Sequence, residues 1–538
     1  MRKRSLLVVA LLVVGCKKEK TVPSAVAAPQ APETTAEQDA LWQLAPKTAL
    51  GGLVVSPRGV ASLESGWLAI DNLFATAPEL AGMRAQMTAE LREVFPDGKL
   101  SLEAAGLTAT KGAAIFFLPD HGQVVIVPVA DRAKFLAVTK GTQGANGDTV
   151  DDLTCKPVKD VYACAKPVAV LDRLGGGRLA EHVTLAGARG EIELIAQNKD
   201  ADPSAGPKYV AVVAQLSRGA FVLRGAVEGL PPIVTQMLAT TGTRTVDPAR
   251  AAGFAILNVA PLLAAAKVPP MPIVPGVTAA DLANNIAGPV TIAVPPGAIA
   301  FDVHVPLKDT APAQKLVEQC ASLPPLAKVG SKVDHGVCHV TVPKLAFQVD
   351  AWIEGAELRI GKQGAAPAGV AVASTAAASE LATGAWAFAL YGRGTLLGKS
   401  PFPLPVDAMP QDAMLGIRMA MLLNEIGLGV RADGDTLRFV LSVRTAWSNP
   451  DEVVAKLLAI PADQILEGKA TASANQIASA SPSSPFAADF KAGLSGMLIP
   501  AATIGVLAAV AIPAFQDYLE KSKRVAEPAE VVEPAPTD

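Results

Sequence analysis

The chain has 538 residues, 50% of them hydrophobic, 18% charged and 4% aromatic, with 45 glycines and 43 prolines. That length exceeds one ordinary core and predicts several folded units, while the apolar share excludes a largely disordered chain. A net charge of −3 with so few stacking rings excludes a nucleic-acid partner, which needs basic patches and aromatic platforms.

Arg2, Lys3 and Arg4 precede the apolar run LLVVALLVVG at 6–15, the layout of a signal peptide over 1–15. The run ends on VVGC at 13–16, which resembles the lipobox of bacterial lipoproteins, with Val13 where that family usually has Leu. The resemblance implies that Cys16 is lipidated and opens the mature chain, making membrane lipid a partner held through several acyl chains. Cleavage there takes the net charge from −3 to −6. Lys17, not an acidic residue, follows Cys16. By the same resemblance the outer membrane is the default address, with the body periplasmic or surface-exposed. Residues 16–40, charged and then rich in Pro, Ala and Thr, read as a flexible tether.

The predicted elements then run as strands, turns and short helices. Residues 111–141 read as strand, Asp-His-Gly turn, strand and a helix starting near Asp131. The same order recurs at 288–322, with Pro-Pro-Gly at the turn, and at 426–460, with ADGD at the turn and SNPDE opening the helix. Each set follows a short strand, placed at 66–80, 253–268 and 385–400. Alternating runs at 191–197, 208–216, 219–227, 345–353 and 356–361 add further strands. The pattern predicts an α+β fold of tandem repeated hairpin-plus-helix domains: repeat 1 at 41–230, repeat 2 at 231–365 and a shorter repeat 3 at 366–466. A Ser/Ala-rich linker at 467–490 follows.

With Cys16 assigned to lipid, Cys155, Cys164, Cys320 and Cys338 remain. An even count in an exported chain points to disulfides, with three possible connectivities. The hairpin LTCKPVKDVYACAK and the segment 318–340 favour 155–164 and 320–338.

Motifs for chemistry are sparse. The sequence contains no GxSxG, Walker loop, HExxH or CxxC, so no catalytic residue, cofactor or small-molecule substrate is identified. The densest metal-like cluster, DHGVCH at 334–339, reads as a turn and a strand, and no metal is assigned. The glycine run at 175–177 reads as a helix stop. The pairs Asp151/Asp152 and Glu191/Glu193 read as solvated charge.

Near the end, 491–524 carries a long uncharged stretch followed by Lys521, Lys523 and Arg524, and the acidic, Pro-rich 525–538 reads as a disordered tail. Residues 497–515 are long enough to span a bilayer. The words IGVLAAVAIPAFQDYLEKSK at 504–523 resemble the N-terminal helix of type IV pilins and pseudopilins. The resemblance rests on Ile504, Gly505, Leu507, Val510, Ile512, Pro513 and Phe515, and implies a membrane helix or a partner helix. The family's processing site is not kept, because Gly496 stands where its Glu would fall. The segment therefore has three readings: a span, which would place the protein at the inner membrane; a dock onto pilin-like or other envelope proteins; or burial on its own body.

Together these features predict a lipid-anchored envelope protein that binds or scaffolds and is not an enzyme. The alternatives are an accessory component of a type IV pilus or type II secretion system, and an envelope enzyme with no local motif.

Overall fold

Short runs rich in Val, Ile, Phe and Tyr, bounded by Gly and Pro, favour extended backbone, and strands dominate among the described residues. The computed structural model describes residues 35–61, 101–119, 122–198, 207–217, 220–240, 244–266, 268–295, 301–327, 330–341, 348–362, 375–383, 385–393 and 423–445, with isolated positions at 85, 88, 89, 92 and 242. In the first half the strands are β1 (Gly51–Val55), β2 (Ala113–Phe117), β3 (Gln123–Val127), β4 (Asp148–Val150), β5 (Leu153–Val158), β6 (Val161–Lys166), β7 (Ile192–Gln197), β8 (Tyr209–Ser217) and β9 (Ala220–Glu228). The second half adds β10 (Gly253–Leu257), β11 (Pro272–Val274), β12 (Val277–Thr278), β13 (Val290–Val294), β14 (Asp302–Pro306), β15 (Lys332–Asp334) and β16 (Val337–Thr341). It ends with β17 (Gln348–Glu354), β18 (Glu357–Gly361), β19 (Phe388–Gly392), β20 (Leu423–Asp433) and β21 (Thr436–Thr445).

Nineteen of these strands form a single sheet; β11 and β12 make a separate ribbon. The pairings are all antiparallel and run β4-β5-β6-β3-β2-β1-β7-β8-β9-β21-β20-β19-β10-β13-β14-β18-β17-β16-β15. The expected tandem α+β domains are therefore not what forms. Strands from all three expected repeats share one ladder, and described helices are no longer than eight residues. The physical reason lies at β9 and β21. Each is the last strand of a hairpin with an open edge, and the two edges close on each other from Thr436↔Glu228 to Arg444↔Ala220.

A shared strand order lies on either side of that seam. β1, the β2–β3 hairpin, β7, β8 and β9 occupy places matched by β10, the β13–β14 hairpin, β19, β20 and β21. The residues expected to form a third repeat thus complete the winding begun by β10. The strand that opens the first winding is Gly51–Val55, not a strand within 66–80, which lies outside the described residues. Glycine is required there: a Cβ on Gly51 would sit 2.7 Å from the Ile195 carbonyl oxygen, and one on Gly52 2.6 Å from the Phe116 ring. The expected helices at 450–460 and 491–524 also lie outside the described residues, among which no helix is long and apolar enough to cross a membrane.

Helices and turns cover both faces of the first half, which explains why β1, β2 and β3 are apolar without alternation. On one face Leu53, Val55, Ile115, Val125 and Val127 meet Phe135 and Leu136 of helix Arg132–Thr139. Asp131 caps that helix by accepting from the Lys134 amide at 3.1 Å. On the other face Val54, Phe116, Val124 and Ile126 meet Leu41 and Trp42 of helix Thr35–Trp42 and Leu171, Leu179 and Val183 of two 3₁₀ turns. In the second half Phe254, Ile256, Ala389 and Tyr391 pack against Ala378 and Leu381 of helix Ala376–Thr383.

At the seam Gly225 pairs with Phe439, whose ring lies 2.1 Å from where a Gly225 Cβ would stand. We expect Gly225→Val to lower stability by about 1–3 kcal/mol through overpacking, measured by denaturant unfolding. An unchanged midpoint would show that the seam tolerates a side chain there.

Candidate binding face

Period-two alternation sends Asp302 and His304 of β14 to one face, together with Glu357 and Arg359 of β18. The register sets His304 opposite Arg359 and Pro306 opposite Glu357. Trp352 and Glu354 of β17 lie opposite Arg359 and Glu357, so three adjacent strands present polar groups on a common face. Arg244 reaches the same place from the segment before β10.

These side chains form one connected network. His304 Nδ1 lies 3.0 Å from Glu357 Oε2, and Nε2 lies 2.8 Å from Asp302 Oδ2. Arg244 Nη2 donates to Glu357 Oε1 at 2.6 Å and stands 3.0 Å from His304 Nδ1. Arg359 donates to Asp302 Oδ2 at 3.0 Å, and its guanidinium lies 5.8 Å from the centre of the Trp352 ring. A neutral imidazole can donate to one of the two carboxylates, a protonated one to both. Burial opposes charge on Glu357, but hydrogen bonds from Arg244 and His304 outweigh it and hold its carboxyl below the usual range. The His304, Arg244 and Arg359 side chains are each 21% exposed, so solvent and a ligand reach the network.

Next to it on the same face, His339 Nδ1 lies 2.7 Å from Asp350 Oδ1, to which Gln348 Nε2 donates at 2.6 Å. Chemically the face offers two guanidiniums, two imidazoles and several carboxylates already paired with one another. A ligand carboxylate or phosphate would bind by taking over the arginine donors.

The expected site residues divide by region. Cys155 and Cys164 are directly opposite one another on β5 and β6 with Cα atoms 3.9 Å apart, and form a disulfide. Cys320 and Cys338 form a second, with Cα atoms 6.1 Å apart, joining a 3₁₀ turn to β16. Cys16 and the pilin-like positions Ile504, Gly505, Leu507, Val510, Ile512, Pro513 and Phe515 lie outside the described residues. Within DHGVCH, His335 takes the tight turn at φ 47° and pairs with Asp334, whereas His339 binds Asp350. Among the described residues no group of three His, Cys, Asp or Glu is placed to hold a metal ion.

The pair Glu191/Glu193 is not solvated, contrary to expectation. Glu193 is fully buried and accepts from Trp42 Nε1 at 2.8 Å and from Arg189 Nε at 2.6 Å. Glu191 accepts from the Leu216 amide at 2.7 Å and faces Arg58. The reason is that helix Thr35–Trp42 lies over β1 and β2, beside β7, and its Trp42 indole reaches across to that carboxylate.

Sequence reasoning did not single out Arg244, Asp302, His304, Glu357 or Arg359 as a site. The signal that could have found them is the spacing Asp-Val-His and Glu-Leu-Arg, which puts paired charges on one face of each strand.

No family model matches the chain, and no curated protein does. Two solved structures are similar to parts of it, crystal forms III and I of TP0453. They share 7% and 13% identity, cover 38% and 40% of this chain and 88% and 98% of that one, with TM-scores of 0.23 and 0.20. Likeness at that level fixes neither fold nor function.

Two outcomes follow from the site. Since the Glu357 carboxyl ionises below its ordinary value of about 4.3, its stabilising contribution is present above that pH and lost as pH falls through the lower folded value. The stability gap between wild type and Glu357→Gln should be largest near neutrality and close below about pH 4. A gap independent of pH would contradict the pairing. Closing loops with sequence separations of 9 and 18, each disulfide contributes about 3 kcal/mol in the chain-entropy account. Non-reducing peptide mapping should recover only the 155–164 and 320–338 links, and Cys155→Ala/Cys164→Ala should lower the denaturation midpoint.

Proposed function

We propose that this is a membrane-anchored bacterial envelope lipoprotein whose body acts as a non-enzymatic binding or scaffold protein. The observation that supports the reading most is the pair of disulfides, since such bonds form and persist in exported proteins and are rare in a reducing cytosol. They stand in a chain whose residues 1–15 read as a signal peptide and whose Cys16 falls where a lipoprotein is acylated. A broad antiparallel sheet with a polar, partly exposed face gives such a protein an extended contact surface. Arg244 and Arg359 there are already paired with Asp302, Glu354 and Glu357, so the face favours a partner that itself carries both signs of charge on a matching surface.

The anchor is tested by metabolic labelling with palmitate: label and membrane recovery should be lost with Cys16→Ala, and label surviving that change would refute the assignment. The contact surface is tested separately by a photo-crosslinking residue placed at Trp352 in cells. Adducts with another envelope protein should form there and not with the same residue at the exposed turn position Asp160. Equal adducts from both positions, or none from Trp352, would remove the binding role from this face.

A further inference from the structure

Exposed loops of soluble proteins are ordinarily polar, and large apolar side chains in water cluster only where something covers them. One end of the second half departs from this. From Ala251 to Ala280 the chain carries one charged residue, Lys267. Helix Val259–Ala266, VAPLLAAA, has no polar side chain on any face, yet Leu262 is 39% exposed. A helix that is apolar all round belongs inside a core or in contact with lipid.

Its neighbours share the property. Helix Pro232–Met237 touches it and presents Ile233 at 55% exposure. Helix Ala279–Asn285 also touches it and follows directly on the β11–β12 ribbon. There Pro269, Pro270, Met271, Pro272, Ile273, Pro275 and Gly276 are all exposed, with Met271 at 63%, while Val274 and Val277 turn inward. Four of the seven large hydrophobic side chains exposed among the described residues thus sit on two touching helices and the nearby ribbon segment.

Cations border this tip. The exposed Lys315 ammonium stands beside the ribbon turn, 3.7 Å from where a Cβ on Gly276 would be. Lys308 is exposed at the foot of helix Ala279–Asn285 and donates to the Asn284 carbonyl at 2.6 Å. Two exposed acids stand at the same border and are engaged by backbone donors: Asp281 by the Thr278 amide and hydroxyl in a capping box, and Asp309 by the Ala311 amide.

We propose that the tip formed by helix Val259–Ala266, Ile233 and the 269–276 ribbon lies in the headgroup and upper acyl region of an anionic bilayer. Met271, Ile273 and Leu262 enter it, and Lys308 and Lys315 meet lipid phosphates. Eight helical residues rise about 12 Å, far short of a bilayer's hydrocarbon thickness of about 30 Å, so the tip lies on the membrane and does not cross it. This deepens the lipoprotein reading and rests on it for proximity. A chain anchored at Cys16 reaches residue 35 through residues 17–34, at most about 60 Å when extended, which keeps the body within range of the surface.

The test uses the full lipidated chain reconstituted in phosphatidylethanolamine/phosphatidylglycerol vesicles, with an environment-sensitive fluorophore on Met271→Cys or, as control, on Asp160→Cys. The Met271 reporter should shift to shorter wavelength and be quenched by shallow lipid-borne spin labels, while the control reports water. Adding Ile273→Asp should return the Met271 reporter toward water. A Met271 reporter that stays in water overturns the proposal. So does one that becomes apolar without lipid as protein concentration rises, which would mean that a second copy covers the tip. Palmitate labelling of the same samples scores the Cys16 anchor independently, so loss of the anchor and loss of tip insertion read out separately.

Discussion

The pairing of β9 with β21 is the contact on which the architecture depends. Without it the chain would hold two separate ladders, each ending on an open edge. With it, one ladder runs through all nineteen strands. Backbone hydrogen bonds alone would leave register free to slip, so side chains lock it. Arg224 of β9 makes a bidentate pair with Glu380 on helix Ala376–Thr383, at 2.5 and 2.7 Å. In the opposite direction, Arg438 of β21 donates to the Leu185 carbonyl at 2.7 Å. Each half thus lends an arginine to the other, and the Phe439 ring over Gly225 fixes the same register from the other face.

Moving outward from the seam, the means of stabilisation change in step with burial. Around β1–β3, helices on both faces supply apolar contact, and the few buried charges there are held by specific partners such as Trp42 and Arg189 on Glu193. Toward β15–β18 the core thins to a small cluster around Val317, Cys320 and Cys338, whereas β4–β6 stay within the two large clusters; covalent and ionic links reinforce both ends. One disulfide joins β5 to β6 near one end of the sheet, and the other holds β16 near the opposite end. Beside the first, Asp148 accepts from Arg132 Nε at 2.6 Å and also from the Tyr162 hydroxyl. The Arg132 hydrogen bond, opposed by burial and joined by that of Tyr162, holds the Asp148 carboxyl below its usual range. Terminal strands are where a sheet frays or pairs with strangers, so cross-links there contribute most to keeping it closed.

How much of this could be read in the sequence follows from which contacts are local. The β2–β3, β5–β6 and β8–β9 hairpins were legible because alternation and turn residues lie within a few positions of each other. The cysteine pairs were favoured for the same reason. Strand order was not legible. Arg224 and Glu380 are 156 positions apart, and nothing in either segment names the other. The opening strand GGLVV escaped notice because its two glycines lower β-propensity; the need for them exists only once β2 and β7 crowd its backbone. The charged face hid similarly. Asp-Val-His and Glu-Leu-Arg each show paired charge, but their meeting depends on β18 returning beside β14 after β15, β16 and β17 have formed.

One face of the sheet carries the whole gradient. It runs from Trp42 and Phe116, through Arg224 at the seam and the Tyr391 core, to His304 and Arg359 near the outer strands. Helices lie over it where the strands offer apolar side chains, and it becomes polar and accessible on β14, β17 and β18, where Asp302, Glu354 and Glu357 would make a covering helix costly to dehydrate. The uncharged tip around Met271 belongs to the same half as that polar face but consists of helices and a ribbon outside the sheet. The second half therefore presents two chemically unlike surfaces, a charged one built on the ladder and an apolar one built beside it. Such a division suits a protein that meets a membrane with one surface and a charged partner with the other, because desolvating either would not require desolvating both.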